Sequence, residues 1–210
     1  MKRWLLNKWI NVKIRHEQLK PDFIVGSSDN PYLYRWYITP WRRWLRRAEE
    51  NPTLWNKLKG WASVVLPNIY LHKFMRDDDD SALHDHPWFW CSYIIENSYI
   101  EHTIAAGGIH KRRHRLPGSL AVSHPWRAHR VELVPRLERF VGADGEVVSY
   151  AMSHGIKSPC WTIFITWLRL REWGFHCPER GWVHWKEFTQ ELPGQNINKG
   201  CGDDAIRVRV

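Results

Sequence analysis

Apolar and polar positions follow two different periods along this chain, and the change of period falls at Pro67. Before it the spacing is helical. Residues 1–18 and 41–62 read as helices, and in the second Trp41, Trp44, Leu45 and Ala48 recur at i, i+3, i+4 and i+7, which leaves Arg42, Arg43, Arg46 and Arg47 on the other sides. Asn51 reads as a cap and Pro52 as the first residue of a resumed helix whose apolar face is Leu54, Leu58 and Trp61. After Pro67 short apolar runs predict strands over Asn68–Met75, Phe89–Ile95, Tyr99–Ile104, Ser119–Ser123, Arg130–Val134 and Trp161–Leu170. Turn signals at 96–98, 107–108, 117–118 and 142–145 separate them. Many short strands at regular spacing predict a β-sandwich or barrel. From Gly181 to Leu192 helix-like spacing returns with Trp182, Trp185 and Phe188, and the tail from Pro193 is polar.

Composition narrows the class. The chain has 210 residues, 43% hydrophobic and 25% charged, which suits one folded domain with a sizeable core. No apolar run reaches the roughly 18 residues that a membrane span needs. The net charge of +9 is uneven: residues 1–76 hold 15 Lys and Arg against 5 Asp and Glu, and the rest is near neutral. One basic segment, rather than a basic groove through the whole molecule, is therefore expected, and residues 1–62 are the part that would meet nucleic acid or another anionic surface. The four cysteines form no C-x-x-C pair. The N-terminus breaks its apolar stretch too early for a signal peptide, so the sequence reads as cytoplasmic with reduced thiols.

Seven of the 12 histidines fall between residues 84 and 129. The sharpest pair is His84 and His86 in Leu-His-Asp-His-Pro-Trp. On a strand, residues i and i+2 share a face, which lets two imidazoles converge on one metal ion. Asp85, between them, should point the other way and support the pair or a turn. The pair is followed by an apolar strand from Cys91, by Pro117-Gly118-Ser119 opening another strand, by His124-Pro125, and by His129 in Ala-His-Arg-Val-Glu-Leu.

This order, over residues 69–170, resembles the cupin superfamily. The resemblance implies a mainly β, double-stranded β-helix (jelly-roll) barrel with N-terminal amphipathic helices and a short C-terminal helix. Its parts would be a Trp/Arg-rich extension over 1–67, the barrel with its C-terminal helix over 68–192, and a polar tail over 193–210. It also implies a divalent metal held by His84, His86 and His129, with iron(II) favoured and zinc, nickel or manganese suiting the same ligands. The superfamily's carboxylate ligand would fall on Trp90 or Cys91, and neither is one. Glu101, His102 or His124 could substitute. A hairpin turning at 97–98 would place Tyr93 opposite His102 and Ile94 opposite Glu101, so one of that pair faces inward. The chain further resembles thiol dioxygenases in His84-Asp85-His86, Cys91 and His129-Arg130-Val131-Glu132, although Trp161 to Trp167 lacks their late His and Tyr. It is also similar to a group of bacterial and phage-borne cupins with Leu-His-Asp-His-Pro-Trp.

The three-histidine site and the likeness to thiol dioxygenases imply an oxygenase acting on a small molecule, whereas the group with Leu-His-Asp-His-Pro-Trp implies a fold and no particular reaction. The alternatives are a non-catalytic ligand- or metal-binding cupin, or an interaction protein that uses its basic segment; a homodimer is also open. Trp88, Trp90, Cys91, Tyr93 and Trp126 are the expected pocket walls. Arg113, Arg115 and Arg130 are candidate contacts to an anionic substrate. Asp77 to Asp80 read as a solvated turn. Cys160, His176, Cys177 and His184 are spaced unlike a standard zinc module.

Overall fold

The computed structural model describes residues 3–78, 82–141, 146–178, 180–188, 191–192, 195–198 and 201. Mainly β architecture is observed, as expected, with helices clustered before residue 66 and a short one near the C-terminus. The helices are α1 (Arg3–Glu17), α2 (Trp41–Glu50), α3 (Leu54–Val65) and α4 (Trp185–Phe188). The first strands, β1 (Phe23–Gly26) and β2 (Pro31–Tyr37), lie within the segment expected to be helical cover. They are followed by β3 (Asn68–Phe74), β4 (Leu83–His84), β5 (Trp88–Glu96), β6 (Tyr99–Ile104), β7 (His110–Arg115), β8 (Leu120–Ser123) and β9 (Arg130–Leu133). The rest are β10 (Pro135–Val141), β11 (Val147–Lys157), β12 (Cys160–Arg169), β13 (Gly174–Cys177), β14 (Gly181–His184), β15 (Glu191–Leu192) and β16 (Gln195–Asn198).

One six-stranded sheet, in the order β1-β2-β3-β12-β5-β8, is the frame. Its outer face is made by Trp36, Leu71, Tyr93, Ile95, Trp161 and Ile163, with Ile10 of α1 packed onto them. Trp36 and Trp161 stack there at 5.5 Å. Its inner face meets the three-stranded sheet β7-β6-β9 through Ile94, Tyr99, Val131, Leu133 and Cys160. A third sheet, β14-β13-β4, carries α4 and closes a small core of Ala82, Cys177, Val183 and Phe188. The strands β10 and β11 form a separate antiparallel pair.

Several expectations are corrected. The segment before residue 68 is not only helical, because β2 pairs with β3 from Leu33↔Phe74 to Tyr37↔Tyr70 and so belongs to the main sheet. The cap of α3 is Thr53, whose side chain accepts from the backbone N–H of Asn56 at 3.2 Å, and Pro52 lies before it. Helix over 181–192 is confined to α4, since Gly181–His184 pairs with β13 as a strand. In the polar tail, Gln195–Asn198 pairs with Glu191–Leu192. The turn expected at 142–145 lies outside the described residues. The hairpin register about residues 97–98 does not form, since β6 pairs with β7 and β9 and the turn carries the chain from one sheet to the other. The thiols are not all reduced, because Cys177 and Cys201 form a disulfide while Cys91 and Cys160 are free. No helix among the described residues is long and apolar enough to cross a membrane.

Candidate metal centre

Three strands' ends bring the site together. His84 closes β4, His86 follows two residues on, and His129 immediately precedes β9. The backbones of His84 and His129 bond each other in both directions, at 2.9 and 2.8 Å, which fixes the H-x-H pair against the third histidine. One ligand nitrogen from each of His84, His86 and His129 lies within 4.8 Å of the others. Nε2 of His86 and Nε2 of His129 are 2.9 Å apart. Two nitrogens each about 2.1 Å from one ion, in tetrahedral or octahedral geometry, lie roughly 3.0–3.4 Å apart, so the spacing fits a shared metal.

Two of the three imidazoles, His84 and His86, are held neutral, as ligands must be. Burial pulls the His84 pKa down to about 4, against the opposing pull of Asp78 and with further lowering by His129. Burial, then His129 and His84, push that of His86 well below the ordinary histidine range. Glu101 settles the third ring. Its Oε1 lies 3.3 Å from Nδ1 of His129, and its Oε2 accepts from Nε and Nη2 of Arg115 at 2.9 and 2.6 Å. Burial alone would raise the Glu101 pKa, but hydrogen bonds from His129 and Arg115 overcome it and bring it down to about 2. A carboxylate there requires His129 to donate from Nδ1, which turns Nε2 toward His86.

Three acidic residues hold the frame. Asp85 is fully buried and accepts from the Gly174 N–H at 2.9 Å and Trp182 Nε1 at 3.0 Å; His176 Nε2 and Arg171 Nη1 each lie 3.1 Å from Oδ2. Burial raises its pKa, and those partners more than reverse the effect. Glycine is required at 174, because a Cβ there would collide with the Val183 carbonyl. Asp77 and Asp78, read as part of a solvated turn, instead accept from the backbone N–H groups of Leu133 and Val131, both at 2.6 Å, and so dock the loop before β4 onto β9. Asp79 and Asp80 lie outside the described residues.

The predicted site residues divide. Trp90 stacks on His129 at 4.8 Å and meets His86 edge-on at 5.5 Å, and Trp88 lies 6.5 Å from His86, so both wall the centre. Cys91 and Tyr93 occupy the other parity of β5, and Tyr93 packs in the outer core. Neither lines the pocket. Trp126 is 58% exposed beside His124, whose Nδ1 accepts from the Trp126 N–H within a turn, so neither joins the centre. Glu101 is inward but bonds His129 instead of joining the three nitrogens. His102 faces the opposite side of β6, with Nε2 2.7 Å from Glu132 and Nδ1 2.9 Å from His110. Arg115 is buried on Glu101, Arg130 Nη2 lies 3.4 Å from His102, and Arg113 is exposed on β7. None of the three arginines faces the histidine centre as an anion contact. His176 is spent on Asp85 and Cys177 on its disulfide, so the second cysteine and histidine set does not assemble. Sequence reasoning missed His72 and Arg35, which lie on the inner face; alternation along Asn68–Phe74 was the available signal.

No family model and no curated protein matches this chain. Among solved structures it is similar to Fe(II)-HppE with the alternative substrate (S)-1-HPP, at 9% identity and a TM-score of 0.40 over 71% of this chain and 56% of that one. It is also similar to an oxalate decarboxylase formate complex from Lactobacillus farciminis, at 8% identity and a TM-score of 0.39 over 72% and 32%. A third is the DMSP lyase DddQ from Ruegeria pomeroyi DSS-3, at 13% identity and a TM-score of 0.33 over 54% and 44%. The chain spans 56% of the HppE chain, and at these scores the reading of the centre rests on its own geometry.

Proposed function

We propose that this protein is a cupin-type metalloprotein in which His84, His86 and His129 hold a divalent ion, and that it is an iron(II)-dependent oxygenase of a small molecule. The observation that carries the reading is the convergence of three imidazoles, with the ring of His129 oriented by the Glu101 carboxylate. Bound there, iron(II) supplies the redox chemistry of O2 that no amino-acid side chain performs. Glu101 holds a proton on Nδ1 of His129 and keeps Nε2 available. Arg115 balances the Glu101 charge, so the carboxylate needs no proton of its own. Trp90 and Phe164 exclude water from the inner side of the histidines.

Metal content of protein purified without a chelating tag tests the centre. Near-stoichiometric metal is expected, lost in His84→Ala and His129→Ala and bound about 10–100-fold more weakly in Glu101→Gln. A wild-type protein that takes up no metal after anaerobic iron(II) loading would sink the reading. Zinc, nickel or manganese suit the same imidazoles, so iron chemistry needs its own test. Nitric oxide added to the iron-loaded protein should give an iron nitrosyl EPR signal; its absence rules out positions open to O2.

A second reading concerns a partner and rests on α3, which exposes Leu54, Trp55, Leu58, Trp61 and Val65 beside the exposed Arg46 and Arg47 of α2. Exposed indole and leucine side chains next to basic ones suit an anionic lipid surface better than nucleic acid. Binding to anionic phospholipid vesicles should weaken with salt and be lost in the Trp61→Ser, Arg46→Glu variant. Point changes are needed because removal of residues 1–62 would also remove β2. Equal binding by the variant defeats this reading.

A further inference from the structure

The inner face of the six-stranded sheet holds buried polar atoms with no hydrogen-bond partner among the described residues: His72 Nδ1, Thr162 Oγ1, Ser123 Oγ, Trp88 Nε1 and Trp90 Nε1. Thr162 is fully buried, and His72, Trp90 and Ser123 are 3%, 3% and 7% exposed. Pairing puts His72, Thr162, Trp90 and Ser123 on one face. His72 lies opposite Arg35 on one side and Thr162 on the other, and Trp90 lies opposite Thr166 and Ser123. Phe164 links the set to the histidine centre, with its ring 5.0 Å from His72, 5.6 Å from Trp90 and 5.8 Å from His86.

The hydrogen-bonding character of the set is one-sided. Indole N–H groups only donate. Arg35 Nε donates to Nε2 of His72 at 2.8 Å, and a guanidinium has no lone pair to offer in return. The proton of the neutral His72 ring must therefore sit on Nδ1, which makes Nδ1–H a third donor. With it stand two hydroxyls and the permanent charge of Arg35. Folded proteins leave few buried polar groups unpaired, so such a concentration on one inner face calls for an acceptor from outside the chain.

The geometry points to an oxyanion pocket: the interior beside His86 takes a small molecule bearing a carboxylate, phosphate or phosphonate. Its oxygens would accept from His72 Nδ1–H, Thr162 Oγ1 and the indole N–H groups, with Arg35 supplying the countercharge. This inference deepens the proposed function by naming a substrate class, and it rests on that reading only for what reacts at the metal end. One residue of the set, Trp88, also borders a cavity. This cavity of about 750 Å³ lies between α2 and the sheet, lined by Tyr37, Tyr70, Trp88 and Thr166 from the sheet side and by Trp41 and Arg46 from α2. Its size suits a small molecule.

Calorimetric titration of the full chain, metal-free and iron-loaded, with benzoate, phenylphosphonate and the uncharged benzamide tests the pocket. Saturable binding of at least one anion is expected, with none of benzamide; the preferred anion names the head group. Arg35→Gln should weaken that binding about tenfold or more. Thr162→Val, which keeps the shape of the side chain and so the fold, should weaken it about threefold. Arg113→Gln, on exposed β7, should leave it unchanged. The proposal is overturned if neither anion binds up to about 10 mM, if benzamide binds as well as benzoate, or if Arg35→Gln and Thr162→Val bind like the wild type. Anion binding in a protein that takes up no metal defeats the metal centre alone, and metal uptake without anion binding defeats this pocket alone.

Discussion

The two faces of the six-stranded sheet are built from alternate residues of the same strands, yet only the inner one mixes polar groups into its apolar packing. Outward, Trp36, Leu71, Tyr93, Ile95, Trp161 and Ile163 form a continuous apolar layer under α1. Inward, their immediate neighbours Arg35, His72 and Thr162 place charge, an imidazole and a hydroxyl in a buried setting. One residue along a strand therefore separates an apolar packing contact from a buried polar group. Burying the outer layer stabilises the fold by about 25 cal/mol for each Å² of apolar surface removed from water. Burying His72 Nδ1 and the Thr162 hydroxyl unpaired costs stability, and such a cost persists where a ligand or metal uses it.

That contrast can be broken most severely at the group that joins the inner site to its frame. Asp85→Ala leaves the Gly174 N–H, the Trp182 indole, His176 and Arg171 without their buried acceptor. A loss of about 3–5 kcal/mol is expected in urea or guanidinium unfolding, because a buried charge network is left uncompensated. A loss below about 1 kcal/mol would mean that Asp85 does not hold the frame.

The comparison itself is sharpest between Leu71 and Thr162. Leu71 is fully buried outward, so Leu71→Ala should cost about 2–5 kcal/mol. Thr162, also fully buried, faces inward with an unpaired hydroxyl, so Thr162→Val should be neutral or stabilising in the absence of ligand. If Thr162→Val destabilised as much as Leu71→Ala, the inner face would be ordinary core.

The most gradual expected effect is on pH dependence. His84 has its folded pKa depressed to about 4, whereas the unfolded chain takes up that proton near 6.5. Stability of the metal-free protein is therefore full above about pH 6.5, falls as the pH drops, and has lost at most about 3 kcal/mol from this residue near pH 4. The same acid slope should survive in Leu71→Ala, since no histidine or carboxylate belongs to the outer cluster. A flat stability profile between pH 7 and 4 would show that His84 is not held neutral by the fold.

Much of this was legible in the chain before its fold was known. The six strand runs after Pro67 are all present within a residue or two, because each rests on local alternation of side chains. The pairing of His84 with His86 was readable from spacing, and the addition of His129 came from the resemblance of the motif order to the cupin superfamily. The inward choice between Glu101 and His102 was not, since it depends on β6 pairing with β9 and β7 instead of β5. Nor could Arg115 be told from Arg113 as the buried one, because the two differ only in which β6 residue stands opposite: Tyr99 for Arg115 and Glu101 for Arg113.

By itself, then, the sequence determined the local periods, the strand runs, the i and i+2 histidine pair and the basic bias of the first 76 residues. These need only near neighbours, whose geometry the backbone imposes. Tertiary structure alone decided that Asp77 and Asp78 clamp β9, that Asp85 serves Gly174 and Trp182, that β2 completes the sheet, and that His72, Thr162 and Trp90 look toward the histidine centre. Those contacts join residues from tens to nearly a hundred positions apart. Their partners are chosen by sheet packing and register, which no short stretch of chain encodes.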